Sequence, residues 1–351
     1  MKRLAVVAFN LGGPDGPAAV EPFLFNLFFD PAIIGMPKPL RWLLAKWISK
    51  KRAPVAQEIY QHMGGKSPIL DLTRDQALAL QAELGTHLDG VEVQVFVSMR
   101  YWHPFSGEVV NDVKAFAPDQ IVLLPLYPQF STTTTESSFI DWDATTAHAD
   151  LDVPTKRVCC YPTEPGLIKA QTQLLQAALA EAGENVRVLF SAHGLPKKIV
   201  EGKSDPYPDH VARGAQAIVD ELADQGAVLN DWLVCYQSRV GRLEWIGPST
   251  EDEIKRAARD GKSLVVLPLA FVSEHSETLV ELDIEYRELA QAQGITTYVR
   301  VPAVGVHADF IVGLATLVQG ALQAETAFCP QGGEDRLCLA FDRACPARMI
   351  R

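Results

Sequence analysis

Short apolar runs that alternate with segments of helical periodicity are the feature that most constrains this fold. The apolar runs predict buried strands at Leu4–Phe9, Val91–Val97, Ile121–Leu126, Val186–Phe190, Trp232–Cys235 and Leu264–Leu269. The helical pattern lies between them, at Asp71–Leu88, Gly166–Ala182, His210–Gln225 and Glu251–Arg259. This alternation is typical of parallel sheets covered by helices on both faces. We therefore predict an α/β fold.

Three pairs of similar segments occur in the same order in each half of the chain. AVVAFNLGGP from Ala5 is similar to RVLFSAHGLP from Arg187, and IVLLPLYPQFS from Ile121 is similar to LVVLPLAFVSE from Leu264. VFVSMR, which ends at Arg100, pairs with LVCYQSR, which ends at Arg239. We predict two related α/β domains, 1–150 and 151–325, followed by a tail, 326–351. The first carries an insertion, here called the insert, at about 23–54.

The insert, Phe23–Pro54, combines apolar and aromatic residues with lysine and arginine. No acidic residue occurs from Met36 to Pro54, although the whole chain has a formal net charge of −11. Leu40, Leu43, Leu44 and Trp47 recur at helical spacing with cations between them. An amphipathic helix that lies on an anionic membrane surface has this composition. The alternative is a core helix with a basic exposed face.

The global properties of the chain exclude several classes of protein. A net charge of −11 argues against nucleic acid as the main partner. No apolar run reaches the roughly 20 residues that a membrane-spanning helix needs. The N-terminal MKR leads directly into a strand and not into the apolar region of a signal peptide. We expect a cytoplasmic protein, peripheral on the inner face of the cell membrane, and the sequence leaves its oligomeric state open.

Polar residues at the carboxyl ends of the predicted strands are the candidate ligand-binding residues, because open α/β sheets bind ligands there. They comprise Asn10–Pro14, Arg100–His103, Tyr127 and the hydroxyl run Ser131–Thr135 in the first half, and Ser191–His193, Gln237–Arg239 and Ser273–Glu277 in the second. The Asn10–Pro14 loop lacks both the G-x-G-x-x-G spacing and a Walker lysine, which argues against a nucleotide site.

His193 and a series of glutamates carry the strongest chemical signals. His193 directly follows a buried strand, where a neutral imidazole can accept a proton or bind a metal, or else hydrogen-bond within the turn. Glu274, Glu277, Glu281 and Glu285 recur at steps of three and four residues, so on an α-helix they share one face. That face is either solvated or a path for cations and protons.

Together these segments resemble the ferrochelatase family. NLGGP, MRYWHP, LLPLYPQFSTTTTESS, FSAHGLP, CYQSRVGRLEWIGP and LAFVSEHSETLVELDIEY occur in the order that the family has, over most of Leu4–Leu314. The resemblance implies two flavodoxin-like or Rossmann-like domains with parallel four-stranded sheets and a porphyrin cleft between them. It implies insertion of ferrous iron into a porphyrin, a lyase reaction and the last step of haem synthesis.

The resemblance also assigns roles to individual residues. It implies that His193 and Glu277 are catalytic and meet the iron. It implies that Glu281 is next to Glu277 along the series. We predict a path for protons or metal along Glu274, His275, Glu281 and Glu285. The positions that it implies for porphyrin contact are Leu11, Arg100, Tyr101, Tyr127 and Trp245. The insert corresponds to a lip of the active site that touches the bilayer in membrane-associated members.

Departures from the family pattern bear on the substrate. Members that act on coproporphyrin III tend to carry Tyr at the position of Leu11, so Leu11 favours protoporphyrin IX, with coproporphyrin III as the alternative. Gln61–His62 stands where some members have a basic pair for a propionate, and Glu274 stands where some have Asp. Rival interpretations are a chelatase for another tetrapyrrole, such as sirohydrochlorin, and a haem- or metal-binding protein without catalysis.

Three of the six cysteines, Cys329, Cys338 and Cys345, lie in the last two dozen residues. Structural disulfides are rare in the cytoplasm, and four thiolates are the usual ligands of a 2Fe–2S cluster. Some ferrochelatases hold such a cluster through tail cysteines and one internal cysteine. We therefore predict a 2Fe–2S cluster on these three residues and Cys159 or Cys160, with zinc or no metal as alternatives. Thr132 occupies the position that animal members use.

Overall fold

The computed structural model describes residues 1–239, 241 and 243–324, which form two parallel four-stranded sheets. The first contains β1 (Lys2–Asn10), β2 (Val91–Met99), β3 (Gln120–Pro125) and β4 (Thr155–Arg157) in the order β2-β1-β3-β4. The second contains β5 (Val186–His193), β6 (Trp232–Gln237), β7 (Ser263–Pro268) and β8 (Tyr298–Arg300) in the order β6-β5-β7-β8. The identical order confirms the predicted duplicated α/β fold.

Helices connect the strands and cover both sheets. Their bounds are α1 (Val20–Phe29), α2 (Lys38–Gln61), α3 (Ile69–His87), α4 (Ser106–Phe116), α5 (Thr135–His148), α6 (Pro165–Ala182), α7 (Lys197–Lys203), α8 (Tyr207–Asp224), α9 (Thr250–Arg259), α10 (Tyr286–Ala292) and α11 (Ala308–Gln323). A 3-10 turn spans Pro17–Ala19, and a π-helix spans Glu277–Glu285 directly before α10.

The central strand of each sheet is buried on both faces, because its side chains alternate between two helical layers. In β1, Leu4, Val6 and Ala8 pack with α3, α6 and α11, while Ala5, Val7 and Phe9 pack with α4 and α5. In the second sheet, β5 packs against α6 and α8 on one face and against α9, the π-helix and α10 on the other. This accounts for the nearly continuous apolar runs in the sequence.

The chain crosses between the two halves at more than one place. β4 lies beyond residue 150 but pairs with β3, so the first sheet extends past the boundary that the sequence suggested. Near the other end of the described chain, α11 packs against α3 and β3, and Phe310 and Leu314 join the core of the first sheet. The second half therefore contributes a helix to the core of the first.

The insert forms α1 and most of α2, which pack together and against Tyr101. Leu40, Leu43 and Trp47 lie on the outer surface of α2, with 52%, 60% and 61% of each residue exposed. The expected helix with an apolar outer surface is therefore present. In the part of the chain that the structure describes, no helix is long and apolar enough to cross a membrane.

Candidate active site

A cavity of about 200 Å³ lies between the carboxyl ends of the two sheets. Its first wall comes from the first half and includes Asn10, Leu11, Tyr101 and Tyr127. Its second wall comes from the second half and includes His193, Leu195, Tyr207, Phe271, His275 and Glu277. Leu27 and Ile33 of the insert complete the lining. The accessible surface of the cavity is mostly apolar, and His193, His275 and Glu277 are among its polar lining residues.

His193 and Glu277 are joined by a hydrogen bond at the cavity. The last residue of β5 is His193, and its Nδ1 lies 2.8 Å from Oε2 of Glu277, the first residue of the π-helix. A carboxylate can only accept, so Nδ1 carries the proton and Nε2 is the ring nitrogen that can accept another. Burial alone lowers the pKa of His193, but the Glu277 carboxylate outweighs burial and raises that pKa above 6.5.

Glu277 is ionised at neutral pH despite its burial. Burial raises the pKa of a carboxyl group, but His193, His275 and the Ser238 hydroxyl together lower the pKa of Glu277 from 4.5 to about 2. The charge on Glu277 therefore depends on its neighbours. This arrangement keeps a carboxylate beside a strand-end imidazole in a largely apolar cavity.

Glu281 lies one turn further along the π-helix and shares a hydrogen-bond partner with Glu277. Oγ of Ser238 is 3.0 Å from Oε2 of Glu277 and 2.5 Å from Oε2 of Glu281. Glu281 also accepts from the Ser238 amide at 2.7 Å and the Tyr286 hydroxyl at 3.0 Å. Burial and the Glu277 charge raise the pKa of Glu281, so of the two carboxyl groups Glu281 binds a proton more readily.

The series of glutamates does not lie on an α-helix. It begins outside the helix, and Glu277–Glu285 is a π-helix, whose wider turn changes which residues share a face. Glu285 is exposed, while Oε1 of Glu274 accepts from Arg300 Nη1 at 2.8 Å and from the Ala303 amide at 3.0 Å. The expectation of one face with all four glutamates is corrected: Glu277 and Glu281 converge, and Glu274 is engaged elsewhere.

His275 is buried and lines the second wall next to Phe271, with 4.5 Å between the two ring centroids. Burial lowers the pKa of His275 more than the nearby Glu277 and Glu274 raise it, so the ring is neutral near pH 7. A neutral imidazole at the cavity is available as a hydrogen-bonding group or a metal ligand.

The structure divides the five residues that the resemblance assigned to porphyrin contact into two groups. Leu11, Tyr101 and Tyr127 line the cavity. Arg100 and Trp245 do not line it. Trp245 pairs with Pro196 in an isolated β-bridge, and a Cβ added to Gly194 would lie 3.4 Å from the indole, so Trp245 lies behind the turn that follows His193.

Asp30 explains the position of Arg100 and was not found from the sequence. Its buried Oδ2 accepts from Arg100 Nη2 at 2.8 Å, from the Tyr101 hydroxyl at 2.9 Å and from the Ser137 hydroxyl at 2.5 Å. Asp30 thereby ties the insert to the first wall. The sequence does contain one sign that Asp30 is special, because it is the only acidic residue of the Phe23–Pro54 segment.

The hydroxyl run Ser131–Thr135 contacts the second half of the chain. Oδ2 of the buried Asp205 accepts from the Ser131 hydroxyl, the Thr132 amide and the Thr132 hydroxyl at 2.9, 2.7 and 2.7 Å. Thr132 is therefore a structural contact between the halves here.

The residues predicted to bind a cluster are only partly described. Cys159 and Cys160 are buried directly after β4, while Cys329, Cys338 and Cys345 lie outside the described residues, as does the predicted tail 326–351. Within residues 1–239, 241 and 243–324, no group of three or more His, Cys, Asp or Glu is placed to hold a metal ion.

Comparison with known proteins decides the family. The ferrochelatase family model matches residues 3–322. The ferrochelatase of Caulobacter vibrioides is 53% identical over 323 residues, which are 92% of this chain and 91% of that one. The ferrochelatase of Phenylobacterium zucineum is 51% identical over 349 residues, covering 99% of this chain and 98% of that one.

The chain belongs to the ferrochelatase family. It is therefore a metal chelatase of the lyase class that inserts iron into a porphyrin in haem synthesis. Porphyrin and ferrous iron are its substrates.

A solved structure outside the family shares the fold. SirB from Bacillus subtilis, determined with Fe³⁺, superposes with a TM-score of 0.52 at 13% identity, over 92% of this chain and 96% of that one. At that identity the likeness shows only that the two share an architecture.

Proposed function

We propose that this ferrochelatase inserts Fe(II) into protoporphyrin IX to form haem b, with His193 and Glu277 as its catalytic residues. The observation that carries the proposal is the 2.8 Å contact between these two residues at an otherwise largely apolar cavity. Free-base porphyrin must lose two pyrrole protons when it takes up a divalent ion. An imidazole with an accepting nitrogen toward the cavity and a carboxylate behind it supplies a base for that step.

His193 is the proposed acceptor of the pyrrole protons. Its Nδ1 is bound to Glu277, so its Nε2 receives the proton while the Glu277 carboxylate stabilises the resulting imidazolium. The raised pKa of His193 sets the pH range, because a base acts only when it is deprotonated. We therefore expect activity to rise with pH through a value above 6.5.

Glu277, Glu281 and Glu285 form the proposed path for iron or protons, with His275 at its inner end. Glu285 is exposed, Glu281 is partly buried, and Glu277 reaches the cavity, so the three lead from solvent to the substrate. Carboxylate and imidazole groups bind Fe(II), although ligand type does not by itself exclude Zn(II) or Co(II). Glu274 supports this path indirectly through its ion pair with Arg300.

The preference for protoporphyrin IX over coproporphyrin III rests on the first wall. Leu11 presents an aliphatic side chain where a coproporphyrin enzyme would present a tyrosine, and Leu27, Ile33 and Ile69 line the same cavity. The vinyl groups of protoporphyrin are apolar, while coproporphyrin has additional carboxylates that an apolar wall would desolvate at a cost. Competition between the two porphyrins in one insertion assay tests this preference.

We propose that the insert binds the inner face of the cell membrane. Leu40, Leu43 and Trp47 are exposed on α2, and Lys38, Lys50 and Lys51 are exposed on the same helix. An apolar surface flanked by lysines suits the headgroup region of an anionic bilayer. Because Leu27 and Ile33 of the insert also line the cavity, an apolar porphyrin could pass from the bilayer to the active site.

The cavity is smaller than a typical ligand site. Its volume of about 200 Å³ is below the roughly 300–1,000 Å³ of pockets that hold drug-sized molecules. A porphyrin therefore requires part of the lining to move. The insert, which contributes Leu27 and Ile33 to that lining, is the segment proposed to move.

We propose a 2Fe–2S cluster on the tail cysteines and one internal cysteine. Lys156 Nζ donates to the Ala324 carbonyl, so the described chain ends beside β4, the strand just before Cys159 and Cys160. Either cysteine could supply one thiolate, with Cys329, Cys338 and Cys345 as the other three. When bound, such a cluster would fasten the tail to the body of the protein.

We also propose a revised domain division. β4 completes the first sheet, so the first domain extends beyond residue 150 to at least Arg157. The second domain then begins with α6, and α11 returns to the first.

Steady-state insertion of Fe(II) into protoporphyrin IX by the purified protein is the direct test. We expect the wild-type protein to turn over, and we expect His193→Ala to lower its kcat strongly. Tight porphyrin binding without metal insertion would contradict the proposed mechanism.

A further inference from the structure

Gln76 is a buried glutamine whose side chain makes all its hydrogen bonds across the boundary between the two halves. It lies on α3 with 1% of the residue exposed. Its Nε2 donates to the carbonyls of Val272 at 2.8 Å and Gly305 at 2.9 Å, and its Oε1 accepts from the Ser273 hydroxyl at 2.9 Å. An amide has two N–H donors and one carbonyl, so both donors and the acceptor are used.

Two of these partners, Val272 and Ser273, belong to the segment that leads directly into Glu277. Residues 269–276, here called the β7–π loop, join β7 to the π-helix and contain Val272, Ser273 and His275. Glu277 follows the loop directly. Inside its own half the loop is held by Glu274, which binds Arg300 and the Ala303 amide. Gln76 therefore supplies an anchor from the opposite half.

The same helix also holds the first wall of the cavity. Thr73 precedes Gln76 by three residues, so the two lie on one face of α3. The Asn10 amide donates to the Thr73 hydroxyl at 3.0 Å, and Oδ1 of Asn10 accepts from the Leu11 amide at 2.8 Å. One turn of α3 thus contacts the first wall through Thr73 and the β7–π loop through Gln76.

We propose that Gln76 is a positioning residue that sets the spacing between the first wall at Leu11 and the carboxylate of Glu277. This inference rests on the proposed roles of Leu11 and Glu277. A buried polar group with every hydrogen bond satisfied specifies one arrangement of its partners. A shift of about 1 Å at a reacting centre can lower a rate by roughly a hundredfold. Metal insertion should be sensitive to this spacing, because the porphyrin and the incoming ion are held from different halves.

Replacement of Gln76 by methionine, with Gln171 as a matched control, tests the inference. Methionine has a similar length and no amide. Gln171 on α6 is also buried, at 3% exposed, and its Nε2 donates to the carbonyl of Leu269, the first residue of the β7–π loop, at 3.3 Å. This bond stays within the second half, so Gln171 controls for loss of a buried glutamine that holds the loop without joining the two halves. For Gln76→Met and Gln171→Met, we would measure thermal unfolding, kcat for Fe(II) insertion per folded enzyme, and the KM for protoporphyrin.

Both variants should unfold at lower temperature than the wild type, because each leaves buried carbonyls without a donor. Gln76→Met should also lower kcat at least tenfold with less than a threefold change in porphyrin KM, while Gln171→Met keeps kcat within twofold. A folded Gln76→Met enzyme with kcat within twofold of wild type would overturn the inference. An equal loss of kcat in Gln171→Met would overturn it too, since it would show that the contact between the two halves has no special effect on kcat.

Ser273→Ala provides a second variant if Gln76→Met does not fold. It removes one of the three bonds and leaves no buried backbone carbonyl without a partner, so it should fold and lower kcat about threefold. Unchanged kcat in Ser273→Ala would contradict the inference. Glu277→Gln in the same assay distinguishes failure of the proposed function from failure of this inference. Normal insertion by Glu277→Gln refutes the proposed function. Slow insertion by Glu277→Gln, with normal insertion by both Gln76→Met and Ser273→Ala, refutes only the role of Gln76.

Discussion

Replacement of Glu277 by glutamine should shift the pH dependence of metal insertion as well as its rate. Glutamine keeps the shape of the side chain and removes the charge that faces His193. At a separation of 2.8 Å and an effective dielectric constant of about 20, Coulomb's law gives about 6 kcal/mol for the pair. The change in the pKa of Glu277 from 4.5 to about 2 corresponds to about 3 kcal/mol. Burial opposes the charge on Glu277, whereas His193, His275 and the Ser238 hydroxyl favour it.

The same attraction that lowers the pKa of Glu277 raises the pKa of His193. In the wild type, Glu277 raises the pKa of His193, so the imidazole becomes an available base only above its ordinary value of 6.5. In Glu277→Gln the effect of burial dominates, and the pKa of His193 should fall. The acidic limb of the kcat/KM profile should then move to lower pH. The maximal rate should fall by roughly a hundredfold or more, because the imidazolium formed on proton transfer loses its counter-charge.

The measurement is the pH profile of Zn(II) or Fe(II) insertion into protoporphyrin between pH 5 and pH 9. Glu288→Gln is the matched control, since Glu288 is exposed on α10 just after the π-helix. The control should reproduce the wild-type profile. An acidic limb that stays in place in Glu277→Gln would refute the electrostatic coupling. A normal maximal rate would remove Glu277 from catalysis.

Four further predictions follow from the site, the insert and the tail. His193→Ala should lower kcat at least a hundredfold while thermal unfolding changes little; turnover within a few-fold of wild type would remove His193 as the base. Leu11→Tyr should shift the kcat/KM ratio toward coproporphyrin III, and an unchanged ratio would remove Leu11 as a determinant. Leu43→Ser should weaken binding to anionic vesicles, and added salt should weaken that binding further. Leu78 lies outside the insert and is 65% exposed, so Leu78→Ser should leave vesicle binding unchanged. Equal effects of the two substitutions would count against membrane binding by the insert. Protein purified without oxygen should contain about two iron atoms and two acid-labile sulfides per chain, and Cys338→Ser should remove them; iron-free wild-type protein would refute the cluster.

Much of the architecture was determined by the sequence alone. β1 and β5 are central strands of parallel sheets, and a strand buried on both faces must be apolar at nearly every position, so its pattern is visible without a structure. β4 and β8 were not located, because each is a three-residue edge strand with no pattern of its own. The sequence therefore suggested a boundary at residue 150, before β4, and the later boundary that we propose rests on the pairing of β4 with β3.

The two residues of the proposed catalytic pair were singled out from the sequence, because strand ends and ligand sites coincide in open α/β folds. His193 directly follows an apolar run, and Glu277 lies in a conspicuous acidic segment. The 2.8 Å contact between them could not be predicted from the sequence, since it joins residues from different elements of the second half.

Only the tertiary structure decided which neighbours each polar side chain has. The glutamate spacing read as one face of an α-helix, but the segment is a π-helix, so Glu281 joins Glu277 at Ser238 while Arg300 binds Glu274. Asp30 binds Arg100, and Gln76 reaches across to Val272 and Ser273, over separations that no local pattern encodes. The physical reason is that apolar periodicity reports burial, which is a local property, whereas a hydrogen bond between distant segments depends on how the completed sheets and helices pack.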